Sequence, residues 1–444
     1  MNEPKPNNNV DLIGSNNPYQ LLAKYLEDLQ NQFLVEDMPD YKDLVNFSTN
    51  RSEPFHNWFY YKEGYSSKLV NKLLEEFQYK EEQNLLDPFS GSGTTLFTGK
   101  KLNLNTFGFD VSPISTFIAE SKMQNYEESD IKLLDDIILN LKINKLEETA
   151  EKPGLSIIDK IFNEKQLMDL LKLKKYIEKF ADKKAYYPLK VAYLSIIELV
   201  SNMRKDGNGI KYVKSPKPGD VEEEFLKSIR NILSDLRQNK ELFSFKNTTN
   251  KIYHDTFINS SSPDYISGEK IDHIITSPPY ANCFDYCAVY KMELWMGDFV
   301  KEYKDFRTLR NMAIRSHVNG SVNPKMEHEY ELINWITNEI DRFDLWDNKI
   351  PRMIRGYFDD MTLVLKNFYN LLNDNGNVAI VVGNSAYKGF IVPTDLMLAN
   401  IANQLGFKVD KIGVCRKVNS SSPEMKKQPE LLKYMRESII FLRK

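Results

Sequence analysis

Three short stretches of the chain hold residues that could do chemistry together. "LLDPFSGSGTT", Leu85 to Thr95, sets Asp87 ahead of Pro88, Phe89, Ser90, Gly91, Gly93, Thr94 and Thr95. Glycines at 91 and 93 let a backbone turn tightly and come close to a ligand. Free N–H groups at the start of a following helix favour a negatively charged or carbonyl-bearing ligand. The stretch lacks the Gly-Lys-Ser/Thr ending of a phosphate-binding loop, and Leu96 stands where a G-x-G-x-x-G pattern would need its last Gly. A carboxylate at a strand end, Asp87, suits a positively charged amine better than a phosphate. "FGFDV" then ends a second strand on Asp110 and Val111. A carboxylate about twenty residues past the glycines suits a ribose diol. A cationic amine and a ribose on one ligand point to S-adenosylmethionine. The third stretch, "IITSPPY", stops an apolar run at Ser277, Pro278, Pro279 and Tyr280. Adjacent prolines cannot donate to a sheet ladder, so they end the strand in a stiff corner.

These residues need a frame. The order "NLLDPF", Gly-rich turn, "TTLFTGKKLN", "TFGFDVS" and a helix from about Pro113 is one βαβα alternation. It predicts an α/β fold with a mostly parallel sheet and helices on its faces. Ahead of it, Pro18 to Phe33 has helical spacing, and Ser66 and Ser67 can cap a helix over "KLVNKLLEEF". From 127 to 250 the pattern is mostly helical, which predicts an inserted helical region with a loop at "RKDGNGIKYVKSPKPGD". The sheet resumes over 251–444, interrupted by an excursion at 281–356. A last strand, "ESIIFLRK", is expected antiparallel at the sheet edge. The first seventeen residues, polar and Asn-rich, read as a disordered tail, and 18–126 as the first part of the sheet domain.

Composition narrows the classes. The chain has 444 residues, 41% hydrophobic, 12% aromatic and 27% charged, which is globular. A net charge of −3 announces no polyanion partner for the whole chain. Residues 151–250 alone carry twenty Lys/Arg against fourteen Asp/Glu, and Arg307, Arg310 and Arg315 recur at roughly helical spacing. Either block is a candidate for meeting a nucleic-acid backbone. Three cysteines are too few for a disulfide framework and suggest a reduced, cytoplasmic chain. Cys283 and Cys287 read as buried small side chains, and no metal site is apparent. No apolar run is long enough to span a membrane.

The motif set resembles the DNA amino-methyltransferases, which methylate an exocyclic amine of cytosine or adenine. "DPFSGSGTT" is similar to their cofactor motif, and "GFDVSP" to the segment whose Asp, here Asp110, binds ribose. "YHDTF" is similar to the segment that places Asp255 near the cofactor's adenine. "HNWFYYKEGYSSKLVNKLL" resembles the segment that cradles the methionine part, which implicates Ser66. "ITSPPY" is similar to the catalytic motif. The likeness covers roughly 50–125 and 250–444, and the helical insert matches none of it.

The resemblance implies a Rossmann-like methyltransferase sheet, S-adenosylmethionine as methyl donor, and double-stranded DNA as partner. It further implies a cognate restriction endonuclease as partner in a bacterial modification system. It also implies roles. Ser277 and the carbonyl of Pro278 accept from the two amine protons of a flipped base, Pro279 stiffens the corner, and Tyr280 stacks on the base. Ser before Pro-Pro-Tyr is the pattern of the cytosine-N4 enzymes. Adenine-N6 methylation, an RNA amine methyltransferase and a catalytically silent DNA-binding subunit remain as alternatives. Methylation at carbon 5 would need a cysteine after a proline, and none of the three is so placed.

Overall fold

The computed structural model describes residues 17–62, 64–207, 209–215, 217–240, 248–258, 266, 268–320, 326–419 and 423–444. The tail expected over 1–17 lies, through residue 16, outside the described residues. Asn17 accepts from the Tyr19 N–H at 3.0 Å and caps the helix Pro18–Gln30.

In chain order the strands are β1 (Val35–Asp37), β2 (Asn84–Asp87), β3 (Asn105–Phe109), β4 (Met203–Asp206), β5 (Gly209–Tyr212) and β6 (Asn250–Tyr253). They continue with β7 (Ile271–Thr276), β8 (Leu372–Gly383), β9 (Ser385–Tyr387), β10 (Phe390–Val392), β11 (Lys408–Lys417) and β12 (Arg436–Arg443). Eight form one sheet in the order β1-β11-β12-β8-β7-β2-β3-β6, while β4–β5 and β9–β10 are separate hairpins. Every neighbouring pair in the sheet is parallel except those of β12, which runs antiparallel to β8 and β11. This is the mostly parallel, Rossmann-like sheet with an antiparallel last strand that the motifs imply.

Strand side chains alternate between two cores, as the two-residue period of a strand requires. Leu86, Ile274, Ile380 and Ile440 face a core shared with the helices Ile350–Leu371 and Thr394–Gln404. Leu85, Ile275, Val381 and Ile439 face the helix Ser67–Glu76 on the other side. Both faces are covered, so the central strands read as continuous apolar runs. The strand order reverses at β2 and β7, and a fold of this kind opens a crevice there, beyond the carboxyl ends of the strands.

Several expectations need correction. The last strand is interior rather than at the edge: β12 sits between β8 and β11, and Arg436 to Leu442 are all buried. Chain position says nothing of sheet position. The "RKDGNGIKYVK" loop contains the β4–β5 hairpin, whose turn begins at Gly207 with φ 51°. "NDNGN" is the irregular start of β8, where pairing to β7 slips between Ile271 and His273 and Asn375 has φ 65°. The helix Ile350–Leu371 begins inside the stretch read as an excursion.

The insert is mainly helical, with helices at Glu128–Asn140, Glu164–Glu178, Tyr186–Ile196 and Val221–Gln238. It shares one apolar core with Phe55, Trp58, Phe97 and Ile118 and with Tyr290 and Trp295. Asp235 of the insert also accepts from the Phe55 N–H at 2.9 Å and the Trp58 Nε1–H at 3.0 Å. The helical block is thereby fastened to the segment that precedes the glycine turn.

Candidate active site

The glycine turn follows β2 directly and opens the helix Thr94–Lys101. Gly91 has φ 48° and Gly93 φ 77°, a region that side chains other than Gly enter at a cost. A Cβ at Gly93 would lie 2.7 Å from the Cβ of Ala119, and one at Gly91 3.0 Å from Cε1 of Tyr61. Lys122, fully buried behind the turn, donates from Nζ to the Ser92 carbonyl at 2.8 Å, and burial lowers its pKa to about 7.

Asp87 borders the cleft but is only 1% exposed. Its Oδ1 accepts from the Thr276 hydroxyl at 2.7 Å and the Phe89 N–H at 3.1 Å, and its Oδ2 from the Tyr65 hydroxyl at 2.9 Å. Burial raises its pKa and these bonds oppose the rise. Asp87 thus ties β2, β7 and the segment before the helix Ser67–Glu76 together at the floor of the site. Asp110 stands just past β3 and stays partly open to the cleft. Its carboxyl accepts from the Gly91 N–H at 2.9 Å and the Ser112 N–H at 2.8 Å. Desolvation by the cleft walls pushes its pKa up to about 7, against the pull of those two N–H groups.

A cleft of about 1000 Å³, open to solvent, brings together Asp87, Pro88, Phe89, Ser90, Gly91, Thr94, Asp110, Val111 and Asp255 with Ser277 and Pro279. Asp255 lies two residues past β6 and accepts at Oδ1 from the Thr256 N–H at 2.7 Å. Thr95 lies one step inward, with its hydroxyl against that of Tyr65. A second, more polar cavity of about 830 Å³ adjoins the first and is lined by Ser277, Pro278, Tyr280, Asn282, Arg416 and Glu437. Gly64, Tyr65, Ser277 and Tyr286 belong to both walls. The Ser-Pro-Pro-Tyr corner therefore lies where two chambers meet. Tyr280 donates from its hydroxyl to Glu437 Oε1 at 2.8 Å, and Ser277 Oγ lies 3.5 Å from the Tyr280 oxygen.

Ser66 is placed differently from the expectation. Its hydroxyl caps the helix Ser67–Glu76 by accepting from the Lys68 N–H at 3.0 Å, and it also accepts from Thr49 at 2.7 Å. Its neighbours Gly64 and Tyr65 are the residues that reach the chambers. The three arginines also part company. Arg315 is clasped by Asp359 and Asp360, and Arg310 pairs with Asp285 at 2.6 Å. Of the three, Arg307 alone is exposed. Tyr65, Lys122, Tyr286, Arg416 and Glu437 line or back the chambers without a signal of their own in the sequence. Tyr65 was within reach, one residue from Ser66 in the segment already singled out. Burial pushes the Cys283 thiol up to about 11, and those of Cys287 and Cys415 up to about 12, which disfavours a thiolate at each.

Comparisons with known proteins give the family. The DNA methylase family profile matches residues 16–121. Type II methyltransferase M.BsoBI of Geobacillus stearothermophilus is 30% identical, over 87% of this chain and 86% of that protein. Type II methyltransferase M.AvaI of Nostoc sp. is 29% identical, over 84% of this chain and 83% of that one. Type II methyltransferase M.MvaI of Kocuria varians is 23% identical, over 85% of this chain and 88% of that one. The chain belongs to the Type II DNA methyltransferases, the DNA methylases that modify an exocyclic amine. It acts on DNA, and S-adenosylmethionine is its methyl donor. The residues present fit that donor. The two glycines leave a cradle that a Cβ would fill, Asp110 offers a carboxylate to a diol, and the buried Ser90 Oγ has no partner among the described residues. Among the described residues no helix is long and apolar enough to cross a membrane.

Proposed function

We propose that this chain methylates the exocyclic N4 amine of a cytosine flipped out of double-stranded DNA, as the modification half of a bacterial system with a cognate endonuclease. The observation that carries the reading is Ser277, which stands in the wall common to the glycine-turn cleft and the polar cavity. A base in the second chamber would meet a methyl donor in the first beside that side chain.

The family resemblance and these positions support the following roles. Gly91, Gly93 and the N–H groups opening at Thr94 receive the amino-acid end of the donor, with Thr95 and Asp87 holding the floor. Pro88, Phe89 and Ser90 shape the turn, Asp110 and Val111 meet the ribose, and Asp255 meets the adenine edge. Bound there, S-adenosylmethionine supplies an activated methyl group on sulfur. Ser277 Oγ and the Pro278 carbonyl accept the two amine protons, which draws the nitrogen lone pair out of conjugation with the ring. Pro279 keeps the corner stiff, so the acceptors are set before the base arrives. Tyr280 gives the base a face, worth about 1–3 kcal/mol in comparable stacking sites. The donor would supply its methyl by an in-line transfer in which an N–C bond would form as the C–S bond broke, the electron pair remaining on sulfur and one amine proton passing to solvent. Most of the rate then comes from alignment. Ser rather than Asp at 277 favours cytosine over adenine.

The test is a nucleoside digest after incubation with labelled S-adenosylmethionine and duplex DNA. N4-methylcytosine is expected. N6-methyladenine would move the assignment to the other base, and label on carbon 5, or on RNA alone, would overturn it. Cofactor binding with no transfer to any DNA would favour a silent subunit.

A further inference from the structure

Tyr280 is seated by three neighbouring strands at once. Arg416 of β11, Glu437 of β12 and Gly383 of β8 are cross-strand partners in one row. Residues directly opposite one another share a face of the sheet. Gly383 brings no side chain to that face, and the Tyr280 ring takes the space. A Cβ at 383 would lie 2.8 Å from Cε2 and 3.0 Å from Cδ2 of the ring. Glu437, only 4% exposed, accepts the Tyr280 hydroxyl at Oε1 at 2.8 Å and Arg416 Nε–H at Oε2 at 2.5 Å.

The direction of these bonds matters more than their number. A carboxylate accepts and never donates, and a phenol has one proton to give. With that proton committed to Glu437, the Tyr280 oxygen can only accept from Ser277, 3.5 Å away. Ser277 likewise has one proton. Once it turns toward Tyr280, the lone pairs of Oγ are left for an N–H donor. Were the row to end in a group that could also donate, both hydroxyls could reverse. Ser277 would then offer its proton to the amine nitrogen and engage the very lone pair that must attack. Hydrogen bonds of this kind are often long in the ligand-free site and shorten in the complex.

We infer that Glu437, held by Arg416, is a positioning residue that fixes the hydrogen-bond direction along Glu437–Tyr280–Ser277, so that Ser277 meets the target amine as an acceptor. The inference rests on the role proposed above for Ser277. It adds that the polarity of the corner is set 157 residues further along the chain.

The experiment compares the full chain with Glu437→Gln, Tyr280→Phe and the double variant, separating kcat from KM on duplex DNA and measuring S-adenosylmethionine affinity by calorimetry. Gln keeps the size of Glu but can donate as well as accept. Glu437→Gln should lower kcat by about ten- to a hundredfold, the size of one hydrogen bond to a charged group. Cofactor affinity should stay as in the wild type. The double variant should lose no more than Tyr280→Phe alone, because the effect passes through the hydroxyl. An unchanged kcat in Glu437→Gln, or losses that multiply in the double variant, would overturn the inference. Should Glu437→Gln fail to fold, Tyr280→Phe alone serves, since it removes the hydroxyl through which the direction is passed to Ser277. It should lower kcat with cofactor affinity intact, and an unchanged kcat again overturns the inference. A wild-type chain that methylates no DNA amine overturns the functional reading and this inference together. Wild-type transfer with an indifferent Glu437→Gln overturns this inference alone.

Discussion

Tyr65 donates from its hydroxyl to Asp87 Oδ2 at 2.9 Å, and that bond joins the segment before the first sheet helix to the end of β2. Both groups are buried, and Tyr65 also lines both chambers. Tyr65→Phe removes one donor from a carboxylate that water reaches poorly. A cost of about 1.5–3 kcal/mol in stability is expected, the range for hydrogen bonds to charged groups. Urea unfolding of the two proteins measures it, and equal midpoints would show that Asp87 is held without Tyr65.

Asp110 gives the site a pH dependence with a definite sign. Its carboxyl titrates at about 7 in the folded protein, above its ordinary value. Below that pH it is protonated and a poorer acceptor for a ribose diol. Cofactor affinity should therefore rise as pH increases through about 7 and level off above it. The native apo protein keeps a proton that the unfolded chain has already released, so this group's contribution to apo stability falls as pH rises from the usual carboxylate range to about 7. Calorimetric titrations between acid and mildly alkaline pH test the first statement, and Asp110→Asn should flatten the profile while weakening binding.

Glycine substitutions should separate the two chambers. Gly93→Ala forces a side chain into φ 77° and against Ala119, and should cost about 1–3 kcal/mol of strain along with cofactor affinity. Gly383→Ala pushes on Tyr280 from beneath and should lower kcat while leaving cofactor affinity near normal. If both variants lost cofactor affinity equally, the division of labour between the chambers would be wrong.

Arg315 should behave as a structural residue. Its guanidinium is shared between Asp359 and Asp360, which are nearly buried. Arg315→Ala leaves two carboxylates without their cation, and removing one partner of a buried ion pair costs about 3–5 kcal/mol. Thermal unfolding should show a large loss. Arg307→Ala, at an exposed position, should leave stability unchanged.

Cys287 lines the cleft, yet burial holds its thiol near 12. Cys287→Ser should keep most of the turnover, and DNA containing 5-fluorocytosine should form no covalent adduct. A trapped adduct would mean chemistry through ring carbon 5.

The amino-acid sequence made the floor of the site legible because its constraints are local. Two glycines with positive φ, a carboxylate at each of two strand ends and a double proline fall within a few residues of the strands they terminate. The sheet followed from the same alternation. What stayed hidden was lateral. Nothing near Glu437 in "RESIIFLRK" says that it will lie beside Gly383, because that pairing depends on which strands become neighbours. Arg315 misled for the opposite reason: its helical spacing from Arg307 and Arg310 suggested a common face, but the chain leaves the helix after Met312 and turns it toward Asp359 and Asp360. Ser66 caps a helix while Tyr65 beside it lines both chambers, since a cap and a pocket wall can alternate along a single turn.

The interior place of β12 has a consequence for biosynthesis. During translation β8 and β11 leave the ribosome before the strand that must slip between them, so each presents an unpaired edge until then. The seat of Tyr280 is built only when that strand arrives. A nascent chain could already hold the glycine turn and Asp110, yet it would have no ordered place for a nucleobase.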